Sequence, residues 1–249
     1  MSTLDGTARG GNGRGADWRS ATTTERRRPW SGVGAVGAVG IAYSASWIIG
    51  LCSWPANPAV TLNADGVTSA FAAHSGIAAV QYTFTEGLPA AGLAVVAVAL
   101  SRAAAGAASD GQAGGRPGPL SRLVLTAGVL AAAVSTVQWV LGLVLATVAA
   151  PHGEHAASLT LFQIVNRLDG VKMFLLAGLA AGGTALARRA VLPRWLGVSG
   201  TVLAVLLLGS GVGYLLLNPT LAPLAYVDGP LLLFWVTGTA VVSGRRRRA

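Results

Sequence analysis

The chain has 249 residues, of which 53% are hydrophobic and only 11% are charged. A soluble domain typically carries about 25% charged residues, so this composition excludes a soluble enzyme or a soluble binding domain. The formal net charge of +9 does not predict a nucleic-acid partner, because the arginines are concentrated between long apolar stretches. We therefore expect an integral membrane protein that binds no nucleic acid.

Residues 1–30 are polar, contain six arginines and show no apolar periodicity. Such a composition predicts a disordered tail. A second basic tail, residues 244–249, contains four consecutive arginines. The arginines of both tails are suited to bind anionic lipid headgroups. For the second tail, the alternative is a stop-transfer anchor that fixes the end of the last span.

Between the tails, residues 31–243 contain six apolar stretches long enough to cross a bilayer, which takes about 20 residues of helix. The stretches lack the alternation of polar and apolar residues that is typical of membrane strands. We predict an all-α bundle of six transmembrane helices. The predicted spans lie near 31–53, 79–101, 121–150, 160–187, 195–217 and 224–243.

The basic residues fall on one side of this predicted topology. The two tails and the second and fourth connections hold 16 of the 18 basic residues, whereas the connections 54–78, 151–159 and 218–223 hold none. The positive-inside rule then places both termini in the cytoplasm. The connection 54–78 is partly apolar, and we expect it to pack on the external end of the bundle as a short helix.

Several glycine motifs predict close helix packing. The segment 32–37 reads G-x-G-x-x-G, but a dinucleotide site needs a preceding strand and an acid about 20 residues later, and the next acid is Asp65. The pairs Gly178/Gly182 and Gly209/Gly213 are also spaced for packing, either inside the bundle or between copies in a homo-oligomer.

Two motifs resemble catalytic or metal sites. Gly197-Val198-Ser199-Gly200 resembles the nucleophile motif of rhomboid proteases, but all three histidines lie in connections at the opposite end of the predicted bundle. A serine nucleophile needs a nearby base, so we predict no catalytic residues. His152, Glu154 and His155 are weak metal-ligand candidates, with a solvated polar turn as the alternative. No cofactor is expected.

Polar side chains recur at one depth of the predicted bundle. Glu86, Gln138 and Lys172 each lie 16 residues from the arginine at the cytoplasmic end of their span, and Asp228 lies 17 residues from Arg245. At about 1.5 Å per residue this is about 24–26 Å from the inner boundary, in the outer part of the hydrocarbon. Asn166 and Asp169 share the helix face of Lys172.

Two interpretations of this polar layer remain open. In the structural interpretation, Glu86, Asp169 and Asp228 sit at the starts of outward-to-inward helices, where the helix dipole stabilises an acid by about 0.3–1 kcal/mol, and Lys172 pairs with Glu86 or Asp169. In the functional interpretation, ionisable groups at this depth mark a site, and the six polar residues line a pocket for a small molecule or ion.

Three further segments carry a resemblance to a known group of proteins: 166–173, 192–197 and 211–214. They resemble uncharacterised six-span membrane proteins of actinobacteria, which implies a multi-pass protein of the bacterial inner membrane and no particular activity. We expect a protein that handles or senses a small molecule or ion. The alternatives are an accessory protein whose polar layer only fixes packing, and a membrane-embedded enzyme.

Overall fold

A computed structural model of the chain describes residues 34–54, 58–108 and 118–246, and these residues form helices and no strands. Six helices are long and apolar enough to cross a membrane, which confirms the six-span helical prediction. We call them spans 1 to 6: Ala35–Ser53, Ser75–Gly106, Pro119–Ala149, His155–Arg188, Arg194–Leu215 and Ala222–Gly244.

Two spans contain a π-helical segment with one extra residue in its turn. In span 2, the α-helix Ser75–Tyr82 continues through the π segment Thr83–Gly87 into the α-helix Leu88–Ala108. The Leu88 N–H donates to the Thr83 carbonyl, five residues earlier, which is the π pattern. In span 3, the α-helix Pro119–Val144 ends in the π segment Leu145–Ala149. Span 6 begins with a 3₁₀ turn, Ala222–Leu224, followed by the α-helix Ala225–Arg246.

Successive spans pack against one another in antiparallel pairs, and span 6 returns to pack against span 1. The Thr237 hydroxyl of span 6 donates to the Gly40 carbonyl of span 1 at 3.1 Å. The spans therefore form a closed ring. We call its two ends the arginine end, which carries Arg102, Arg122, Arg188, Arg189 and Arg194, and the histidine end, which carries His74, His152 and His155.

The half of the ring nearer the arginine end is filled by apolar side chains, including Leu100, Leu186 and Leu196. Trp235 is fully buried there, and its indole N–H donates to the Leu196 carbonyl at 3.0 Å. Gly183 lies against the indole of Trp235: a Cβ at Gly183 would come within 2.3 Å of that side chain. The arginine half is thus closely packed.

The short helix expected in the connection 54–78 is present as Ala64–Ala73, which we call the connecting helix. It buries Val67 and Phe71 against the histidine end. The Phe71 ring lies 5.1 Å from the ring of Trp54 and 6.0 Å from that of Phe162. At its exposed face, Asp65 pairs with Nδ1 of His155 at 2.9 Å. Aromatic packing therefore fixes this helix on the bundle.

Replacing Asn63 with Ala is expected to destabilise the connecting helix by about 1 kcal/mol, because the Asn63 side chain caps its first turn. Oδ1 of Asn63 accepts from the Gly66 N–H at 2.9 Å. Faster hydrogen exchange confined to Ala64–Ala73 would show the effect, and Asn63→Ser, which keeps a capping oxygen, should retain most of the protection. Unchanged exchange in Asn63→Ala would contradict the prediction.

The helices extend beyond some predicted bounds. Span 2 begins at Ser75 and span 4 at His155, four and five residues before the starts expected from apolarity. The last helix runs to Arg246, so the predicted tail 244–249 begins as helix. The tail 1–30, residues 31–33 and residues 247–249 lie outside the described residues.

Candidate functional site

The structure brings four of the six predicted polar residues into one buried cluster. Nζ of Lys172 in span 4 lies 2.7 and 2.8 Å from the two carboxylate oxygens of Glu86 in span 2. The same Nζ lies 2.7 Å from Oδ1 of Asp169, one helical turn away. Nε2 of Gln138 in span 3 donates to that Asp169 oxygen at 3.4 Å. Lys172 thus pairs with both acids that the sequence offered as alternatives.

Additional groups complete this Lys172 cluster. Nε2 of Gln138 also donates to the Val165 carbonyl at 3.1 Å, and the buried Ser135 side chain lies beside the Glu86 carboxylate. Glu86 and Lys172 are only 7% and 3% exposed. Because every charge has an opposite charge in contact, the cluster meets the condition under which buried ion pairs are tolerated. Ser135 precedes Gln138 by three residues and so lies on the same face of span 3. This spacing could have identified Ser135 as a neighbour of the polar cluster.

Asp228 is buried separately from the Lys172 cluster. It is 0% exposed, and one carboxylate oxygen accepts a hydrogen bond from the Ser210 hydroxyl of span 5. The other oxygen, Oδ1, has no hydrogen-bond partner among the described residues. A buried unpartnered carboxylate oxygen is costly. Ser210 lies in a glycine-rich stretch and gave no signal of this role in the sequence.

Asn166 takes no part in the Lys172 cluster. Its side-chain amide donates to the Phe162 carbonyl of its own helix at 2.8 Å. It nevertheless lies along the same helix face as Asp169 and borders the cavity described below. The expectation that Asn166 and Asp169 share a face therefore agrees with the structure.

The helix-dipole explanation applies to only one of the three acids. Because span 2 begins at Ser75 and span 4 at His155, Glu86 lies about three turns and Asp169 about four turns inside its helix. The dipole effect falls off within the first turn. Asp228 alone lies in the first turn of its α-helix. The structural interpretation must therefore rest on the ion pairs for Glu86 and Asp169, which corrects the sequence argument.

A cavity of about 460 Å³ occupies the histidine half of the ring. We call it the cleft. Its wall includes Glu86, Asp169, Asp228 and Asn166, together with aromatic and apolar side chains. Residues 58–61 of one histidine-end connection and Pro219 of another also border it. So does the start of span 6, where Tyr226 is 82% exposed. The aromatic residues of its wall are Trp47, Phe71, Tyr82, Phe162, Tyr214 and Tyr226.

Two of these tyrosines border the cleft, although their depth also suits contact with the lipid interface. Tyr82 and Tyr214 have the depth of an interfacial belt that anchors the protein in lipid. In the structure both border the cleft, and the Tyr82 ring stacks on Phe71 at 6.4 Å. Their depth was predictable, whereas the direction in which they face around the helix axis was not.

The weak metal candidates are not brought together. His155 pairs with Asp65, and Nδ1 of His152 lies 2.7 Å from the Val148 carbonyl of its own helix turn. No group of three or more His, Cys, Asp or Glu residues suited to a metal ion forms within the described part of the chain. At the other end, the Ser199 hydroxyl donates to the Trp195 carbonyl of its own helix at 2.9 Å.

Comparison with protein-family models, with curated proteins and with solved structures finds no match to this chain. Any assignment of function must therefore come from the cleft itself.

Proposed function

We propose that this membrane protein binds a small molecule or ion in the cleft, and that it acts as a receptor or sensor subunit. The cleft carries this proposal: a cavity of about 460 Å³ is of the size that small-molecule sites occupy, roughly 300–1,000 Å³. Its wall combines apolar and aromatic surface with a few polar groups, as such sites do.

Binding is favoured over conduction because the cleft does not continue through the ring. Below Met173 and Leu232, which border it, the arginine half is packed with fully buried Leu100, Leu179 and Leu203. A conducting pathway needs polar groups along its length. The hydroxyl pairs in this half, such as Ser101 with Ser121 at 2.9 Å, lie between neighbouring helices.

We further propose that the histidine end faces the outside of a bacterial inner membrane, with both termini in the cytoplasm. The arginine distribution supports this orientation, and the resemblance to actinobacterial membrane proteins supports the location. The arginine end would then contact anionic lipid headgroups. Part of the glycine-rich helix surface packs inside the ring of spans and is not available to a second copy of the chain. At Gly213, for example, a Cβ would come within 2.4 Å of the Ala222 backbone.

An accessory protein is the second candidate, and the Lys172 cluster favours it. The Lys172 ammonium contacts both Glu86 and Asp169, and Gln138 of span 3 donates to Asp169. Spans 2, 3 and 4 are therefore held in one register without any ligand. A polar contact of this kind can specify helix packing. This candidate gives no role to Asp228 or to the cleft.

A ligand screen by thermal unfolding tests the receptor proposal. The panel should contain soluble amines, carboxylates and neutral amides, with the purified protein in detergent. A ligand at about 100 times its Kd should raise the Tm by about 5 °C or more. Gly229→Phe should abolish the shift, because Gly229 borders the cleft and a Cβ there meets no atom within 4 Å.

The matched control is Gly76→Phe. Gly76 also has open space around its Cβ position, but it does not border the cleft. This variant should respond to the ligand as the wild type does. If no compound of any charge class shifts the Tm of the wild type, or if both variants respond equally, the cleft is not the binding site.

A further inference from the structure

We propose that the ligand of the cleft is a small organic cation, such as a protonated amine or a quaternary ammonium compound. This inference rests on the proposed binding function and names the chemistry that the cleft would recognise. It follows from three properties of the cleft: its charge, the unpartnered oxygen of Asp228, and the chemical character of its wall.

The charge of the site is negative. Three carboxylates, those of Glu86, Asp169 and Asp228, border the cleft. The single ammonium, that of Lys172, is already in contact with the first two. With every group ionised, these four side chains leave a formal charge of −2. No described lysine or arginine is part of the cleft wall, so the site offers nothing to balance an anionic ligand.

Asp228 is a buried carboxylate that has no cationic partner among the described residues. Its side chain is fully buried, and among the described residues Oδ1 has no hydrogen-bond donor and the carboxylate has no ion-pair partner. Burial of an uncompensated carboxylate is strongly unfavourable. An ammonium group bound in the cleft beside Asp228 would provide the missing opposite charge.

The wall of the cleft favours an organic cation over a metal ion. Calcium and magnesium ions take six or more oxygen ligands, some of them from water, in a tight shell, and zinc takes four closely grouped His, Cys or carboxylate ligands. The described residues form no cluster of metal ligands, and the cavity is many times larger than a dehydrated ion. Trp47, Tyr82 and Tyr214 border it instead. Aromatic faces attract ammonium groups by cation–π interactions and pack against their alkyl substituents.

Charge-selective modification of a cysteine placed in the cleft tests the inference. Asn166 borders the cleft, and its side chain bonds only its own helix. Asn166→Cys is made in a Cys52→Ser background, because Cys52 is exposed. The probes are trimethylammonioethyl methanethiosulfonate, a cation, and sulfonatoethyl methanethiosulfonate, an anion. Their rates are normalised to those at Ala156→Cys, an exposed position on the same span.

We expect the normalised cation-to-anion rate ratio at Asn166→Cys to be at least about tenfold, since a buried negative site changes the local concentration of ions by this order or more. Adding Asp228→Asn should lower the ratio several-fold. Adding Glu154→Gln, which removes the same charge from an exposed position at the same end, should leave it unchanged. A ratio near one, or a ratio insensitive to Asp228→Asn, overturns the inference.

Protection from modification provides a second measurement that keeps Asp228 intact, in case Asp228→Asn does not fold. Millimolar choline or benzyltrimethylammonium should slow modification of Asn166→Cys, whereas the neutral carbon isostere of choline, dimethylbutanol, should not. Equal protection by choline and its isostere overturns cation recognition but leaves small-molecule binding intact. If neither ammonium compound protects, the inference also fails.

One result would remove the proposed function together with the inference. If neither reagent modifies Asn166→Cys, as expected for a fully buried control such as Ala180→Cys, the cleft does not admit solutes. The thermal screen would then show no stabilising compound of any charge. An anionic or neutral compound that raises the Tm would instead retain the receptor function and refute only the cationic ligand.

Discussion

Replacing Lys172 with Met is expected to lower the free energy of unfolding in detergent by about 3–5 kcal/mol, the usual cost of removing one partner from a buried ion pair. The ammonium is 3% exposed and contacts two carboxylates. Its loss leaves Glu86 and Asp169 buried, close together and of like charge. Chemical denaturation followed by tryptophan fluorescence measures the change.

The carboxylate variants serve as controls for this prediction. Glu86→Gln leaves Lys172 paired with Asp169, and Asp169→Asn leaves it paired with Glu86, so each should cost less than Lys172→Met. The triple variant, which removes all three charges, should recover most of the stability, because no uncompensated charge remains. A Lys172→Met protein as stable as the wild type would contradict the assignment of this lysine as the common partner of both acids.

The triple variant also separates the two interpretations of the polar layer. If it is stable and still binds the compounds found in the thermal screen, the Lys172 cluster serves packing alone and Asp228 is the recognition group. If it is stable but no longer binds them, the cluster also takes part in binding. Stability alone cannot distinguish a packing role from a binding role at these residues.

Gly170→Ala is expected to destabilise the protein by about 1–3 kcal/mol, the range for overpacking a close contact. A Cβ at Gly170 would lie 2.7 Å from the Gly211 carbonyl oxygen and 2.7 Å from the Leu215 nitrogen. Both are backbone atoms of span 5, so they cannot move aside as a side chain would. The crossing of spans 4 and 5 must open to accommodate the methyl group.

Gly178→Ala is the matched control on the same span. A Cβ at Gly178 would meet only the Ala127 side chain, at an ordinary 3.8 Å. Because Ala is the better helix former by about 0.8–1.0 kcal/mol, this variant should be as stable as the wild type or more so. Equal Tm values for the two variants would contradict the proposed contact between spans 4 and 5.

Composition and the continuous apolar runs were sufficient to predict the six helical spans, because hydrocarbon thickness fixes their length. Counting residues along each helix also placed Glu86, Gln138 and Lys172 at a common height, and the structure joins them. The same count placed Asp228 at that height, yet it lies apart from Lys172 and bonds Ser210 instead. The number of residues along a helix gives the depth of a side chain in the membrane, but it does not give the direction in which that side chain points around the helix axis.

The starts of spans 2 and 4 were set too late for a related reason. Ser75 and Gly76 at the start of span 2, and His155 and Ser158 at the start of span 4, lower the local apolarity, although the backbone is already helical there. Helix formation requires satisfied backbone hydrogen bonds, not apolar side chains, at a helix end near the interface. The error mattered, because it moved the expected helix starts more than one turn closer to Glu86 and Asp169.

The π segment Thr83–Gly87 gives span 2 a property that substitutions alone cannot produce. Glu86 lies inside this segment, and the π turn holds one residue more than an α-helical turn. The gain or loss of one codon in this turn therefore changes which residues on either side of it share a face, without altering any amino acid.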